Sequence, residues 1–320
     1  MKPRVGLLFG DRNGIGPEVA AKLLARPETH ETTEAVLIAD PGVYRDGQSV
    51  AGIEIGRELE FHALAAPANG TDRGTATAAA GKEVLATIKQ AADMAAAGDI
   101  DGFVFAPLNK QAMHLAGLGF EDEMQFLKSH IGFEGEVGEL NVLEKLWTSR
   151  VTSHVAIRDV ADHITTDGIA RDIGLLDRSL RVSGLERPRL AVAALNPHAG
   201  DGGNFGREEI DVIEPAVAQA AADGAAVEGP YPSDTVFVRA KEGAYDGVVT
   251  MYHDQGQIAM KLMGFGSGIT VLGGLPFPVT TAAHGTAFDI AGKGEADPTA
   301  LIEAWRTCTR MAHSAKGANT

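Results

Sequence analysis

Five short apolar runs rich in β-branched residues, at residues 5–9, 35–38, 102–105, 190–194 and 247–251, are separated by longer stretches with helical spacing. Runs of that length, bounded by turn residues, read as strands. Strands alternating with helices fold as α/β layers, because a parallel crossover needs a helix to carry the chain back. Residues 75–97 are the clearest helical stretch, alanine-rich with Val84, Leu85, Ile88 and Ala92 on one face, and residues 207–222 follow the same pattern. Several strands end in polar, glycine-bearing turns, the place where open α/β sheets bind ligands. Those turns are where chemistry is expected.

Composition narrows what that chemistry can be. At 320 residues, 44% of them hydrophobic, the chain is long enough to build two lobes. The 43 Asp and Glu against 28 Lys and Arg give a net charge of −15, which repels nucleic acid and anionic membranes, so neither is an expected partner. Cys308 is the single cysteine, which rules out an intramolecular disulfide and leaves histidines and carboxylates as candidate metal ligands. The first apolar run ends before Asp11, too soon for a signal-peptide core or a bilayer span, and the expected location is the cytoplasm.

The first turn, Gly10-Asp11-Arg12-Asn13-Gly14-Ile15-Gly16-Pro17-Glu18, has glycines for a tight bend and a proline suited to the start of a helix. It lacks the G-x-G-x-x-G dinucleotide spacing. His154, His198 and His253 each stand where an apolar strand gives way to a polar turn. Any one of them alone reads more readily as a hydrogen-bonded histidine at a strand end. Three in equivalent positions point to a shared role, because three neutral imidazoles leave open positions on a divalent metal that polarises a hydroxyl or carbonyl. Residues 283–294 form a long polar loop around His284, and a loop of that length inside a compact domain is usually there to bind something.

Together these segments resemble the 4-hydroxythreonine-4-phosphate dehydrogenase (PdxA) family, with matching pieces in order at residues 10–18, 106–110, 158–160, 195–211, 229–237, 251–256 and 284–297. The last piece is also similar to the cofactor loop of isopropylmalate and isocitrate dehydrogenases. The resemblance implies two α/β/α domains with an interdomain cleft: residues 1–127 plus 262–320 for the cofactor, and an inserted domain, 128–261, for metal, substrate and dimerisation. It implies NAD or NADP, seated by His284, Gly285, Thr286 and Asp289. It implies one divalent metal (Zn2+, Mg2+, Mn2+ or similar) on His154, His198 and His253, and a homodimer whose subunits share their active sites. Lys261 and Asp254 are the candidate catalytic residues, Lys261 as a substrate contact or a proton carrier.

The substrate-binding positions depart from the family. A His-Thr pair is replaced by Glu123-Met124, and of the phosphate contacts Lys, Asn and Arg, matching Lys261, Thr270 and Val279, only the lysine remains. Valine offers neither the charge nor the fork of an arginine, so the expected substrate is an unphosphorylated hydroxy or diol acid. The phosphorylated hydroxythreonine of pyridoxal phosphate synthesis is the alternative. The expected reaction is oxidation of a secondary hydroxyl, with decarboxylation as an optional second step. A histidine-liganded metal hydrolase would lack the cofactor loop, and a non-catalytic metabolite-binding protein would not need the three histidines.

Overall fold

The computed structural model describes residues 2–64, 71–264 and 266–318. The fold is α/β and divides into two compact units, Met1–Gly135 with Ile269–Thr320, and Glu136–Gly268. The expected crossings, near residues 127 and 262, each fall inside a helix, and the units part several residues further on.

The first unit starts with β1 (Arg4–Leu8), α1 (Gly16–Leu24), α2 (Glu28–Glu31), β2 (Glu34–Ala39), α3 (Pro41–Ala51), β3 (Glu60–Ala63), α4 (Ala78–Ala97), β4 (Gly102–Phe105), α5 (Lys110–Leu115) and α6 (Glu123–His130). The second unit holds β5 (Gly138–Leu143), β6 (Leu146–Arg150), α7 (Val160–His163), α8 (Thr166–Val182), β7 (Arg189–Ala193), α9 (Glu214–Ala222), β8 (Ala226–Tyr231), α10 (Ser233–Lys241), β9 (Gly247–Thr250) and α11 (His253–Met263). The chain then returns to the first unit with β10 (Ile269–Gly273), β11 (Val279–Ala282) and α12 (Thr299–Ala318).

The strands of the first unit run in the order β3-β2-β1-β4-β11-β10, parallel except for β10. Val5, Leu7, Leu8, Phe103 and Val104 are fully buried, as expected of central strands covered on both faces. Helix α4 begins at Thr77, whose hydroxyl accepts the Ala80 N–H, and buries Val84, Ile88, Ala91 and Ala92. Helix α12 packs on β4 and β11, with the Thr280 hydroxyl donating to the Ala304 carbonyl at 2.8 Å. Cys308 is wholly buried there and burial pushes its thiol pKa up, so it is a packing residue.

The second unit has the order β5-β6-β9-β7-β8, with β5 antiparallel to β6 and all other pairs parallel. The helix expected at 207–222 is a π turn, Glu209–Ile213, followed by α9. Pro215 explains the break, since it lacks an N–H and is tolerated only in a first helical turn. Among the described residues no helix is long and apolar enough to cross a membrane.

Candidate active site

In the second unit β6, β9 and β7 are consecutive parallel neighbours. The three histidines follow their carboxyl ends: His154 four residues after β6, His253 three after β9, His198 five after β7. One sheet edge therefore carries all three. The strand ends are tied together by Gln255, whose amide accepts the Met251 N–H at 2.7 Å and donates to the Ala194 carbonyl at 2.8 Å. The Thr152 hydroxyl adds a 2.8 Å bond to the Met251 carbonyl.

His154 and His253 approach each other, with ring centroids 6.4 Å apart. His253 opens α11, and its Nδ1 lies 2.7 Å from the Asp254 carboxylate. A proton on Nδ1 donated to that carboxylate leaves Nε2 with its lone pair outward, the tautomer a metal ligand needs. The donor chemistry of this edge thus fits a divalent ion.

His198 is held differently. His198, Ala199, Gly200, Asp201 and Gly202 all have positive φ, between 45° and 76°, forming a short left-handed turn. Only glycine adopts that region without penalty, so three side-chain-bearing residues there store strain. The chain just before the turn is fastened by buried Glu209, which accepts the Leu195 and Asn196 N–H groups through Oε1 at 2.9 and 2.7 Å, and the Asn196 amide through Oε2 at 3.0 Å. The His198 ring sits 6.2 Å from the Phe205 ring. Among the described residues, no group of three or more histidine, cysteine or carboxylate side chains is gathered within one chain to hold a metal.

In the first unit the glycine turn and the His284 loop leave the same sheet edge, after β1 and β11, and pack on each other. The Ile15 N–H donates to the Thr286 carbonyl at 3.0 Å, and a Cβ on Gly14 would come within 2.7 Å of Thr286. Asn13 bonds the Thr75 carbonyl, the Thr77 hydroxyl and the Asp72 N–H. Glu18 and Lys22 fasten the far end of the loop, Glu18 accepting the Ala296 N–H at 2.7 Å and Lys22 donating to the Gly294 and Ala296 carbonyls. On this support Gly285 and Asp289 are exposed, His284 is half-buried with Nδ1 3.1 Å from the Gly285 carbonyl, and Thr286 is buried against the turn.

The sequence and the fold have clear counterparts among known proteins. The sequence matches the family described as pyridoxal phosphate biosynthetic protein PdxA over residues 8–308. The chain belongs to the PdxA family. A Pseudomonas aeruginosa relative, provisionally named 4-hydroxythreonine-4-phosphate dehydrogenase 2, is 47% identical over 97% of both chains. The crystal structure of 4-hydroxythreonine-4-phosphate dehydrogenase from Klebsiella pneumoniae superposes with a TM-score of 0.85 at 35% identity, covering 98% of each chain. That of terephthalate 1,2-cis-dihydrodiol dehydrogenase from Burkholderia xenovorans LB400 gives 0.70 at 30%, covering 97% and 98%. The chain is accordingly a PdxA-like dehydrogenase, which implies a nicotinamide cofactor and a small-molecule substrate.

The substrate-binding positions expected from the sequence, the retained Lys261 and the departures Glu123, Met124, Thr270 and Val279, fall in different settings. Glu123 and Met124 start α6 and are buried, at 9% and 6% exposure. Lys261 is exposed on α11, two turns beyond His253. Thr270 is half-buried in β10. Val279 is fully buried at the start of β11, in register with Phe103. The supports Asn13, Glu209 and Gln255 were not singled out from sequence. Asn13 and Gln255 each precede a glycine inside a quoted motif, and a polar side chain next to a tight turn was the available signal; Glu209, between Glu208 and Ile210, carried no such signal.

Proposed function

We propose that this protein is a divalent-metal-dependent, NAD(P)-linked dehydrogenase that oxidises the secondary hydroxyl of a small hydroxy acid. The observation carrying this reading is the placement of His154, His253 and His198 after three adjacent parallel strands, with the Asp254 carboxylate 2.7 Å from His253 Nδ1. These histidines would hold the metal, which when bound supplies a Lewis acid that lowers the hydroxyl pKa and stabilises the carbonyl product. Asp254 orients His253 and is a positioning residue, because its carboxylate is committed to Nδ1. Lys261 presents an ammonium for the substrate's acid group. The His284 loop, with Gly285 and Asp289 outward, is the seat for the adenosine half of the cofactor.

The active form is a homodimer with shared sites. Exposed apolar side chains follow each histidine: Ile157 after His154, Phe205 after His198, and Ile258 and Leu262 after His253, at 71%, 53%, 59% and 83% exposure. Large apolar groups left in water beside a candidate site support a subunit partner that covers them.

Two substrate classes follow from different observations. The replacement of the family's arginine by Val279 favours an unphosphorylated hydroxy or diol acid, as the name of the dihydrodiol dehydrogenase suggests. The names of the relatives with higher identity favour a phosphorylated one. NAD(P)H absorbance with each substrate, in metal-loaded and chelator-treated enzyme, tests the reading. Turnover is expected only with metal. Full activity in a verified metal-free sample refutes the metal's role, and no NAD(P)H with either class refutes the function. If kcat/KM is higher for the phosphorylated compound, the substrate is the conventional one.

A further inference from the structure

A cavity of about 680 Å3 lies in the first unit between α1, α2 and α12, beside the residues that precede β1. Its size is that of a small-molecule site. Leu23, Ile302 and Trp305 give it an apolar wall, and the indole N–H of Trp305 is buried without a hydrogen-bond partner. The rest of the lining combines hydroxyls (Thr29, Thr32, Thr309, Ser314) and His313 with a surplus of cations. Lys2, Arg26, Arg306 and Arg310 face a single lining carboxylate, Glu28, in a chain whose net charge is −15. Arg26 stands 3.7 Å from Glu28, and Arg306 is engaged at 2.6 Å by Glu303. Lys2 and Arg310 differ. Lys2 donates to the His30 carbonyl and Arg310 to the Thr307 hydroxyl, and among the described residues no carboxylate is within ion-pair distance of either.

The cavity is separate from the candidate active site. The glycine turn and the His284 loop follow the carboxyl ends of β1 and β11, whereas Lys2 and Pro3 precede the amino end of β1. The two places are at opposite edges of one parallel sheet.

We propose that this cavity is a second ligand site, taking a small carboxylate with an apolar body. The body rests on Leu23, Ile302 and Trp305, and the carboxylate is drawn to Lys2 and Arg310. A bare, strongly hydrated anion would gain nothing from the apolar wall, and an uncharged apolar molecule would leave both cations without a counter-charge.

Calorimetric titration of the whole enzyme with cyclohexanecarboxylate, cyclohexanecarboxamide and inorganic phosphate tests this. Saturable carboxylate binding is expected, with the amide and phosphate each weaker by about tenfold or more. In Arg310→Glu the carboxylate should lose a similar factor while dehydrogenase turnover is unchanged. Binding at the active site would survive that substitution, so unchanged affinity in Arg310→Glu overturns the proposal. Equal affinity for acid and amide, a preference for phosphate, or no saturable heat at about 10 mM carboxylate overturns it as well.

Discussion

Glu83 and Arg12 face each other at 3.1 Å with side chains only 7% and 9% exposed. Burial raises the Glu83 pKa to about 7, outweighing the pull of Arg12, while Asp40 and Asp11 push it the same way. The folded protein therefore retains a proton that an unfolded glutamate releases near 4.5. Its contribution to stability is full below that value and is lost as pH rises through about 7, a change on the order of 3 kcal/mol. Glu83→Gln cannot ionise, so the fall in denaturation midpoint between pH 5 and pH 8 should shrink in this variant. An unchanged fall would show that Glu83 is ionised throughout. Asp254 makes a second residue-scale prediction. Asp254→Asn weakens the hold on the His253 tautomer and should lower metal affinity by roughly tenfold to a hundredfold. A competitive chelator titration measures it, and wild-type affinity would remove Asp254 from the site.

At the scale of elements, the left-handed turn at His198 is where local preference is most plainly overruled. Ala199, at φ 54°, pays a penalty that glycine would not. Ala199→Gly is therefore expected to relieve about 1 kcal/mol of strain, less the entropy that glycine adds to the unfolded chain. The unfolding midpoint should stay level or rise while metal affinity falls, because His198 would lose its enforced direction. A loss of stability with unchanged affinity would contradict this. No sequence rule points to that turn, since Pro197-His198-Ala199-Gly200 reads as an ordinary bend and Glu209, which fastens the residues just before it, is eleven residues from His198. The central strands β1, β2, β4, β7 and β9 were legible because burial on both faces leaves them apolar apart from the end residues Arg4, Glu34, Arg189 and Thr250. Strands β3, β5 and β8 were not, because they lie at an end of their own unit's strand order and their sequences, such as Glu60–Ala63 and Ala226–Tyr231, carry charge or a Gly-Pro step. Histidines were legible by position after a strand. Their supports were not, since Gln255 and Glu209 act on backbone groups whose proximity only the folded chain creates.

For the whole molecule, shared sites have an arithmetic consequence. If a site draws ligands from both subunits, mixing His198→Ala with His253→Ala leaves one intact site in each heterodimer, provided these two ligands come from opposite subunits. About a quarter of wild-type activity should return after subunit exchange at equal proportions. No recovery, with heterodimers verified by mass, would place both ligands on one subunit. The discontinuous first unit has its own consequence. Its sheet joins β4 to β11, pairing Val104 with Thr280, so a strand made early must wait for one made after the entire second unit has been synthesised. During translation residues 136–268 can close on themselves, while the apolar rim of Gly102–Phe105 stays unpaired and open to other chains. Ribosome stalling or truncation before residue 279 should therefore yield a chain whose second unit resists protease while its first unit aggregates, making the last forty residues the latch on which the first hundred depend.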